Sequence, residues 1–465
     1  MNNRNEQTIC AVSTPQGVGG LAVIRISGPR ALEVVKLCMP SSFKKNICSH
    51  EARHGFFYDV NREKVDEVVA TYFQQGRSYT GDEVVEISCH GSLYISKKII
   101  DVLIQHGCLL ADRGEFTYRA FMNGRIDLTQ AESVLSLIES NSQSASRLAL
   151  RQLEGGLSKI FHSIESDLIW CLAQIEASID FSTEGLEIAE TEHLITKLIK
   201  TQNRLNEIIL NYQLGKSIKD GIKIVLVGEP NVGKSSLLNN LLVEDKAIVT
   251  SIAGTTRDVV EGTTHFEGLK FVLSDTAGLR DSTELVEKIG IQKSILEVEK
   301  SDVVIFVSDI TQINYMFLNQ YFEKFKPQNY LFVLNKADLV DELQIAKVLS
   351  ILFKSVPGSS ADNTLVTTAK NFKTRELIFK ALLTKFHQNF NFVDDVVVSS
   401  TRQYECSLLA NELISKFISE FRSGVGVEFI ALHLKEALLS IQKILGIYFD
   451  DQIFDRIFKE FCLGK

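Results

Sequence analysis

The sequence predicts a multidomain fold: an N-terminal α/β domain, then a discontinuous bundle of α-helices into which a second α/β domain is inserted. Three observations indicate this arrangement. An unbroken apolar run at residues 222–227 enters the glycine-containing stretch 228–236, as a buried strand enters a loop. Strand and helix patterns alternate over residues 221–390. Amphipathic helix patterns flank this stretch, and neither flank alone is long enough for a self-sufficient core.

Composition limits the classes of protein that need to be considered. The 465 residues suffice for about two to four domains, and 45% hydrophobic with 23% charged residues is typical of a globular chain. The net charge of −8 gives no indication of nucleic-acid binding, which usually accompanies a basic excess. The eight cysteines are scattered without a C-x-x-C pair, which argues against a zinc ribbon and against a disulfide framework.

No stretch of the chain has a pattern typical of membrane targeting. The start, Met1 to Gln7, is polar, and no stretch approaches about 18 uninterrupted apolar residues. We therefore expect neither a signal peptide nor a membrane span, and we predict a cytoplasmic protein.

Residues 1–122 form the first predicted domain. Apolar runs and three- to four-residue apolar spacing predict strands at 21–27, 65–73 and 82–89 and helices at 31–37 and 93–106. The glycine-rich cluster 14–20 is either a second phosphate loop or an ordinary turn, and it lacks the Lys-Ser/Thr pair that makes such a loop specific. Arg25, Glu86 and Arg119 are either ligand contacts or surface or paired charges at strand and helix ends. The residues alone leave this domain's ligand open.

Helix patterns occupy both flanks of the inserted domain. They cover 128–138, 145–161, 164–179 and 193–214 in the first flank, and 404–421, 428–444 and 452–461 in the second. We predict that the two flanks form one helical domain with parts at 123–218 and 386–465. The inserted domain then spans 219–385.

The inserted domain begins with the pattern G-x-x-x-x-G-K-S at residues 228–235. The backbone N–H groups of such a loop wrap the phosphates of a nucleotide, its lysine reaches the outer phosphates, and its serine hydroxyl ligates Mg²⁺. The predicted contacts are Asn231, Val232, Gly233, Lys234, Ser235 and Ser236.

Further motifs indicate that the nucleotide is GTP. Asp275-Thr276-Ala277-Gly278 ends a strand pattern, where the aspartate supports the Mg²⁺ shell and the glycine N–H can sense a γ-phosphate. Asn335-Lys336-Ala337-Asp338 ends another, and its last carboxylate can accept two hydrogen bonds from guanine, a donor pair that adenine lacks. Thr368-Ala369-Lys370 takes the place of the last guanine-contacting loop.

A polar segment between the first two phosphate motifs is either a surface loop or a switch that supplies a threonine to Mg²⁺. Its residues are Thr250, Ser251, Ile252, Ala253, Gly254, Thr255, Thr256, Arg257 and Asp258. Leu279 stands where Ras-like switches place the glutamine that orients the attacking water. Another group must therefore position that water, and the nearby candidates, each of which could instead be a solvated helix residue, are Arg280, Asp281, Glu284 and Glu287.

From Thr14 to Lys465 the chain resembles the MnmE (TrmE) family of tRNA-modifying GTPases. The motifs that carry the resemblance are Arg25-Ile-Ser-Gly-Pro29, Tyr79-Thr-Gly-Asp-Glu-Val-Val-Glu86, Cys89-His90-Gly91, Arg113-Gly-Glu-Phe-Thr117, Arg119-Ala-Phe121, Asp127-Leu-Thr-Gln-Ala-Glu132 and Phe461-Cys462-Leu463-Gly464-Lys465. The resemblance implies a folate-binding N-terminal domain that also dimerises, and a Ras-like P-loop G domain activated by potassium-dependent dimerisation.

The resemblance also implies roles for individual residues of the G domain. Asn231, Thr250, Ile252 and Thr255 would ligate K⁺, and Ser235 and Thr256 would hold Mg²⁺. Glu287 matches the acidic residue that orients the attacking water through a second water, and Arg280 is a further catalytic candidate.

Outside the G domain, the resemblance implies a folate site and a C-terminal motif. Arg25, Glu86, Arg125 and Lys465 match positions that contact a 5-formyl- or methylene-tetrahydrofolate, with an arginine at 125 where the family commonly has lysine. Cys462 lies in a C-terminal motif that matters for modification.

The implied function is that of a homodimeric GTPase in a heterotetramer with an FAD-dependent protein of the MnmG (GidA) type. Together the two would add an aminomethyl or carboxymethylaminomethyl group at C5 of the wobble uridine of certain tRNAs. The alternative is a regulatory GTPase module, for example in ribosome assembly, whose N-terminal domain serves only for protein contact. Binding of a reduced folate separates the two.

Overall fold

The computed structural model describes residues 6–43, 47–180, 188–242, 261–275, 297–325, 327, 329–387, 397–448, 457–462 and 464–465. The chain divides into two compact units. The first comprises Met1–Ile138, Leu150–Leu205 and Glu405–Lys465, and the second comprises Glu139–Ala149 and Asn206–Tyr404. Strands and helices are numbered below over the described residues.

The first unit contains a six-stranded sheet. Its strands are β1 (Ile9–Val12), β2 (Leu21–Ser27), β3 (Glu51–Tyr58), β4 (Lys64–Phe73), β5 (Val84–His90) and β6 (Leu109–Leu110). They lie in the order β3-β4-β5-β2-β1-β6, and all neighbours are antiparallel except β1 and β6. Two helices, α1 (Ala31–Cys38) and α2 (Leu93–Gln105), share one buried core with the strands. The sequence predicted β2, β4, β5 and both helices to within two residues but missed β1, β3 and β6.

Five helices follow the sheet in the chain. They are α3 (Glu115–Met122), α4 (Leu128–Glu139), α5 (Gln143–Leu153), α6 (Gly156–Asp180) and α7 (Ile188–Leu210). The predicted continuous helix at 145–161 is wrong, because the chain turns at Gly155, whose φ of +84° is a conformation typical of helix ends. The predicted gap at 162–163 is also wrong, since α6 runs through it.

The second unit contains a six-stranded sheet, and helix residues pack with its strands in two separate cores. Its elements are α8 (Tyr212–Asp220), β7 (Ile222–Val227), α9 (Lys234–Leu242), β8 (Glu261–Phe266), β9 (Leu269–Asp275), β10 (Val303–Asp309), α10 (Tyr315–Phe325), β11 (Tyr330–Asn335), α11 (Glu342–Ser355), β12 (Thr364–Val366) and α12 (Lys373–His387). The predicted helix at 193–214 is therefore divided at Asn211 between α7 and α8.

The strands of this second sheet have the order β12-β11-β10-β7-β9-β8. All neighbours are parallel except β8 and β9 at one edge. Successive residues of β7 enter different cores: Leu226 packs with Phe379 on one face, and Val225 packs with Phe332 on the other. A parallel sheet buried on both faces is the Ras-like P-loop architecture that the sequence predicts.

The last two helices return to the first unit. They are α13 (Thr401–Arg422), most of which lies in that unit, and α14 (Val427–Leu445). The buried residues of α14 recur at three- and four-residue spacing, as in Ile430, Leu434 and Ala437, and this helix packs against α6. The Gln442 side chain donates a hydrogen bond of 3.1 Å to Glu165 of α6. The predicted discontinuous helical bundle is confirmed, whereas the predicted domain boundaries stay predictions.

In the ranges given above, no helix is both long enough and apolar enough to cross a membrane.

Candidate functional site

The candidate nucleotide site lies at the carboxyl ends of the parallel strands in the second unit. β7, β10 and β11 end at Val227, Asp309 and Asn335, and Asp309 pairs in register with Asn335. The backbone of Asp275 pairs with Leu226, which brings the end of β9 to the same edge. Ligands of open parallel sheets bind outside this edge. The fold therefore brings the predicted phosphate and base motifs together.

The loop between β7 and α9 has the form of a phosphate cradle. Lys234, the first residue of α9, folds back so that its Nζ donates to the backbone oxygens of Gly228 and Glu229, each at 2.7 Å. Asn231 has a positive φ of 63°. Because the loop ends at a helix N-terminus, its N–H groups and the helix dipole favour an anion there. Ser235 and Ser236 are exposed in the first turn of α9.

The side chain of Asn335 joins the phosphate loop to the base-recognition loops. Its Nδ2 donates to the Val232 oxygen at 2.9 Å, and its Oδ1 accepts from the Ala369 N–H at 2.8 Å. Only 2% of Asn335 is exposed. A Cβ at Gly233, where φ is +96°, would overlap Asn335 Nδ2, so this position needs glycine. One buried amide thus fixes three loops that the sequence identified separately.

The base-recognition element continues from Asn335 into a short 3₁₀ turn, Ala337–Leu339. Lys336 adopts the left-handed conformation with φ 66°, which is uncommon outside glycine, and its Nζ donates to Asp309 Oδ2 at 2.6 Å. Asp338 and Lys370 are exposed, while Thr368 is half-buried. An exposed carboxylate at this edge of the sheet can accept the two donors of a guanine.

Asp309 is a member of this site to which the sequence analysis gave no role. Burial raises the pKa of its carboxyl, but hydrogen bonds from Lys336 and Thr311 outweigh that effect and hold the pKa below the usual value. A signal was present, because an acidic residue ending a buried strand lies at the same sheet edge as Asn335. A second missed contact is the 2.7 Å hydrogen bond from Asn314 Nδ2 to Glu229 of the phosphate loop.

Several predicted residues of the nucleotide site lie outside the described residues. They are Thr250, Ser251, Ile252, Ala253, Gly254, Thr255, Thr256, Arg257, Asp258, Thr276, Ala277, Gly278, Leu279, Arg280, Asp281, Glu284 and Glu287. Their roles stay predictions, as do those of the described site residues. Over the part of the chain that the structure covers, no three His, Cys, Asp or Glu side chains cluster as metal ligands.

A second candidate site lies on the sheet of the first unit. Arg25 of β2 and Glu86 of β5 face each other in register, and Arg25 Nε and Nη2 donate to Glu86 Oε1 at 2.9 and 2.7 Å. The guanidinium also lies over the rings of Tyr79 and Phe116, 5.1 and 5.5 Å from their centroids. The Tyr79 hydroxyl is fixed by Thr117 at 2.9 Å. Arg25 is thus held both by its ion pair with Glu86 and by its contacts with two aromatic rings.

One nitrogen of Arg25 is left without a partner. Nη1 is buried and makes no hydrogen bond within the described residues. A buried N–H group without an acceptor costs about 1–3 kcal/mol, more when charged. This atom therefore marks a position where a ligand oxygen would be stabilised.

The C-terminal residues add a second cation to this site. Phe458 and Phe461 are buried against Tyr118 and Phe121, which anchors the segment to α3. Ser13 Oγ then donates to the Gly464 oxygen at 3.1 Å. Burial and the Arg25 charge lower the pKa of the Lys465 side chain, while Glu86 and Cys462 oppose them. The structure thus brings together Arg25, Glu86 and Lys465, and it leaves Cys462 exposed.

The remaining predicted residues of the first unit lie elsewhere or have other partners. Arg125 is exposed and lies beside Gly81, and no contact in the described chain links it to Arg25. Arg119 is buried and paired with Glu115 at 3.0 Å. Cluster 14–20 forms the loop between β1 and β2, where Gly19 N–H donates to Gly91. An ordinary turn explains that loop.

Comparison with known proteins gives matches along the whole chain. The family model of the MnmE helical domain matches residues 128–462, and that of the GTP-binding protein TrmE N-terminus matches residues 8–125. The tRNA modification GTPase MnmE of Bdellovibrio bacteriovorus is 46% identical over 100% of this chain and 98% of that protein.

More distant relatives carry the same name. The tRNA modification GTPase MnmE of Fervidobacterium nodosum is 39% identical over 100% of this chain and 99% of that protein. The tRNA modification GTPase MnmE of Bacteroides thetaiotaomicron is 34% identical over 99% of this chain and 100% of that protein. Both domain families and the full-length relatives agree with the resemblance that the motifs indicated. This chain therefore belongs to the MnmE family of tRNA modification GTPases.

Proposed function

We propose that this chain hydrolyses GTP to drive modification of the wobble uridine of certain tRNAs at C5. It would act with an FAD-dependent partner of the MnmG (GidA) type and add an aminomethyl or carboxymethylaminomethyl group. The enzyme class, GTP hydrolase, follows from family membership. The observation that most supports the finer proposal is the second candidate site, here called the basic cluster and formed by Arg25, Glu86 and Lys465, with its unpartnered Arg25 nitrogen.

The basic cluster fits a reduced folate. A tetrahydrofolate offers carbonyl and carboxylate oxygens, which are acceptors for the Arg25 Nη1 group and for the Lys465 ammonium. Glu86 can accept hydrogen bonds from the amino and ring N–H groups of a pterin. We propose that Arg25, Glu86 and Lys465, with Arg125, hold a 5-formyl- or methylene-tetrahydrofolate. When bound, this group supplies the one-carbon unit.

The phosphate loop fits GTP with its Mg²⁺. The exposed Ser235 hydroxyl lies in the first turn of α9, where a serine ligand is expected, and Thr256 would join it. Mg²⁺ neutralises charge on the β- and γ-phosphate oxygens when bound. Lys234 binds the outer phosphates, Asn335 holds the loops in place, and Asp338 selects guanine.

The phosphate loop also fits a potassium ion beside Asn231. Asn231 is exposed and its backbone has a positive φ, so its amide oxygen is available outside the cradle. We propose that K⁺ is held by Asn231 with Thr250, Ile252 and Thr255, and that it supplies positive charge where other GTPases use an arginine. Glu287 orients the attacking water, and Arg280 is a further catalytic residue. The site is completed when two G domains meet.

The proposed assembly follows from these sites. The chain acts in the cytoplasm as a homodimer that joins the FAD-dependent partner in a heterotetramer and receives tRNA. Exposed Cys462, close to the folate cluster, takes part in the modification itself.

Nucleoside analysis of cells that lack this protein tests the proposed function. We expect the C5-modified wobble uridines to disappear from bulk tRNA, because the one-carbon unit is no longer delivered, and to return with the wild-type gene. The measurement is liquid chromatography with mass spectrometry of digested tRNA. Unchanged modified nucleosides in the deletion strain would contradict the proposal.

Exchange of K⁺ for Na⁺ tests the cation site. At equal ionic strength we expect kcat of GTP hydrolysis to fall about tenfold or more in Na⁺, equivalent to about 1.4 kcal/mol of lost transition-state stabilisation. The Asn231→Ala variant should give similar, low rates in both salts. The matched control is Asn239→Ala, at an exposed asparagine on α9. This variant should keep the wild-type ratio of kcat in K⁺ to kcat in Na⁺. Equal wild-type rates in both salts would remove Asn231 as a ligand.

A further inference from the structure

Asp309 is a buried acid at the nucleotide edge that has no part in the proposed chemistry. It ends β10, whose seven residues are all buried, and only 4% of its surface is exposed. Burial of a carboxylate is costly unless charged or polar partners compensate for it. The partners of Asp309 therefore indicate what the residue stabilises.

The two carboxylate oxygens of Asp309 serve different segments. Oδ1 accepts from the backbone N–H and the hydroxyl of Thr311, at 2.9 and 2.7 Å, which fixes the turn that follows β10. Oδ2 accepts from Lys336 Nζ at 2.6 Å. The turn alone would need only one oxygen. The second oxygen is committed to the lysine of the base-recognition element.

Lys336 is a residue whose conformation needs support. Its φ of 66° lies in the left-handed region, where residues with a Cβ are strained. The peptide that follows is fixed by the Ala337 N–H donating to Thr367 at 3.1 Å, but that bond does not restrain the lysine side chain. The 2.6 Å ion pair with Asp309 does restrain it, because it fixes the ammonium end of a side chain of which 33% is exposed.

The segment after Asp309 also reaches the phosphate loop. Asn314 Nδ2 donates to Glu229 Oε1 at 2.7 Å. Residues 309–314 therefore touch both the base-recognition lysine and the phosphate cradle, by a path separate from the Asn335 amide. A nucleotide must fit both ends at once, so rigidity along this path favours binding.

We propose that Asp309 is a positioning residue for the guanine nucleotide: it holds the Lys336 side chain, and with it the base-recognition loop, in the arrangement that receives the base. It does not touch the reacting phosphates. Its loss should weaken nucleotide binding and raise KM for GTP, while kcat at saturating GTP stays unchanged, because ground-state and transition-state binding fall equally.

The test compares the isosteric Asp309→Asn variant with the wild-type full chain. The probe is GDP carrying an N-methylanthraniloyl label, titrated by fluorescence with Mg²⁺ and K⁺ present. We expect its dissociation constant to rise about tenfold, the effect of removing one charged hydrogen-bond partner, with KM for GTP rising in parallel and kcat within about twofold. The control is Asp362→Asn, the same acid-to-amide change at an exposed carboxylate in the turn before β12, and it should bind within about threefold of wild type.

A double-mutant cycle separates positioning from general support of the fold. In a Lys336→Met background, Asp309→Asn should add less than about twofold, because both changes remove the same contact. The proposal would be overturned if the effects of the two substitutions on the dissociation constant multiplied in the double variant. It would also be overturned if the single Asp309→Asn variant bound GDP like the wild type. Should Asp309→Asn not fold, Asp309→Ser takes its place in the same cycle with the same expectations.

Discussion

Replacing Lys234 with alanine should lower kcat/KM for GTP by about a thousandfold, the loss typical of removing one preorganised charged donor from a site of charge transfer. In the structure the Lys234 ammonium closes the phosphate loop onto the backbone oxygens of Gly228 and Glu229. An entering nucleotide would receive that charge on its outer phosphates. The variant loses both the closure of the loop and the cation. Steady-state phosphate release is the measurement.

A second lysine in the same unit provides the control for this change. Lys347 is exposed on α11, and Lys347→Ala should hydrolyse GTP at the wild-type rate. Both variants should have similar unfolding temperatures, which shows that the loss at Lys234 is local. If Lys234→Ala retained more than about a tenth of wild-type kcat/KM, the loop could not be the phosphate site.

Replacing Arg25 with alanine should abolish measurable binding of 5-formyl-tetrahydrofolate, with a dissociation constant raised about a hundredfold or more. The guanidinium carries the unpartnered Nη1, and it lies over the rings of Tyr79 and Phe116. Its removal also leaves Glu86 without the cation with which it pairs. Isothermal titration calorimetry on the folded protein is the measurement.

The control for this second change is Arg30→Ala. Arg30 is exposed and pairs only with the exposed Glu33 at 3.0 Å among the residues that the structure covers, so its loss should leave folate affinity unchanged. Two failures are distinguishable. A wild-type chain that does not bind the folate contradicts the folate part of the proposed function, whereas a binding wild type with an equally tight Arg25→Ala variant removes only Arg25 from the site.

Sequence patterns correctly predicted those strands and helices whose ends are set by adjacent residues in the chain. β2 has the predicted bounds because its apolar run is closed by Gly28-Pro29, and α9 begins at Lys234 because the phosphate loop must end at a helix. The break between α5 and α6 was missed because apolar residues keep their helical spacing on both sides of Gly155. The spacing of apolar residues shows which face of a helix is buried, but it does not show where one helix ends and the next begins in a new direction.

The contacts that complete the two sites join residues distant in sequence. Arg25 meets Glu86 because β2 pairs with β5 in one register, and a shift by one residue would place the two on opposite faces. Lys336 meets Asp309 because β10 and β11 end side by side. The sequence identified Arg25, Glu86 and Lys336 as candidates. It contained no information on strand order, so the pairings had to come from the fold.

The packing of α14 against α6 has a consequence for the order in which the protein can fold during translation. Residues 181–426 are synthesised between the two helices, which takes about 12 to 50 s at ordinary elongation rates of about 5 to 20 residues per second. During that interval α6 lacks the helix against which it packs in the folded protein. Residues 206–404 can therefore fold before α14 has been synthesised and before the helical core that contains α6 and α14 is complete.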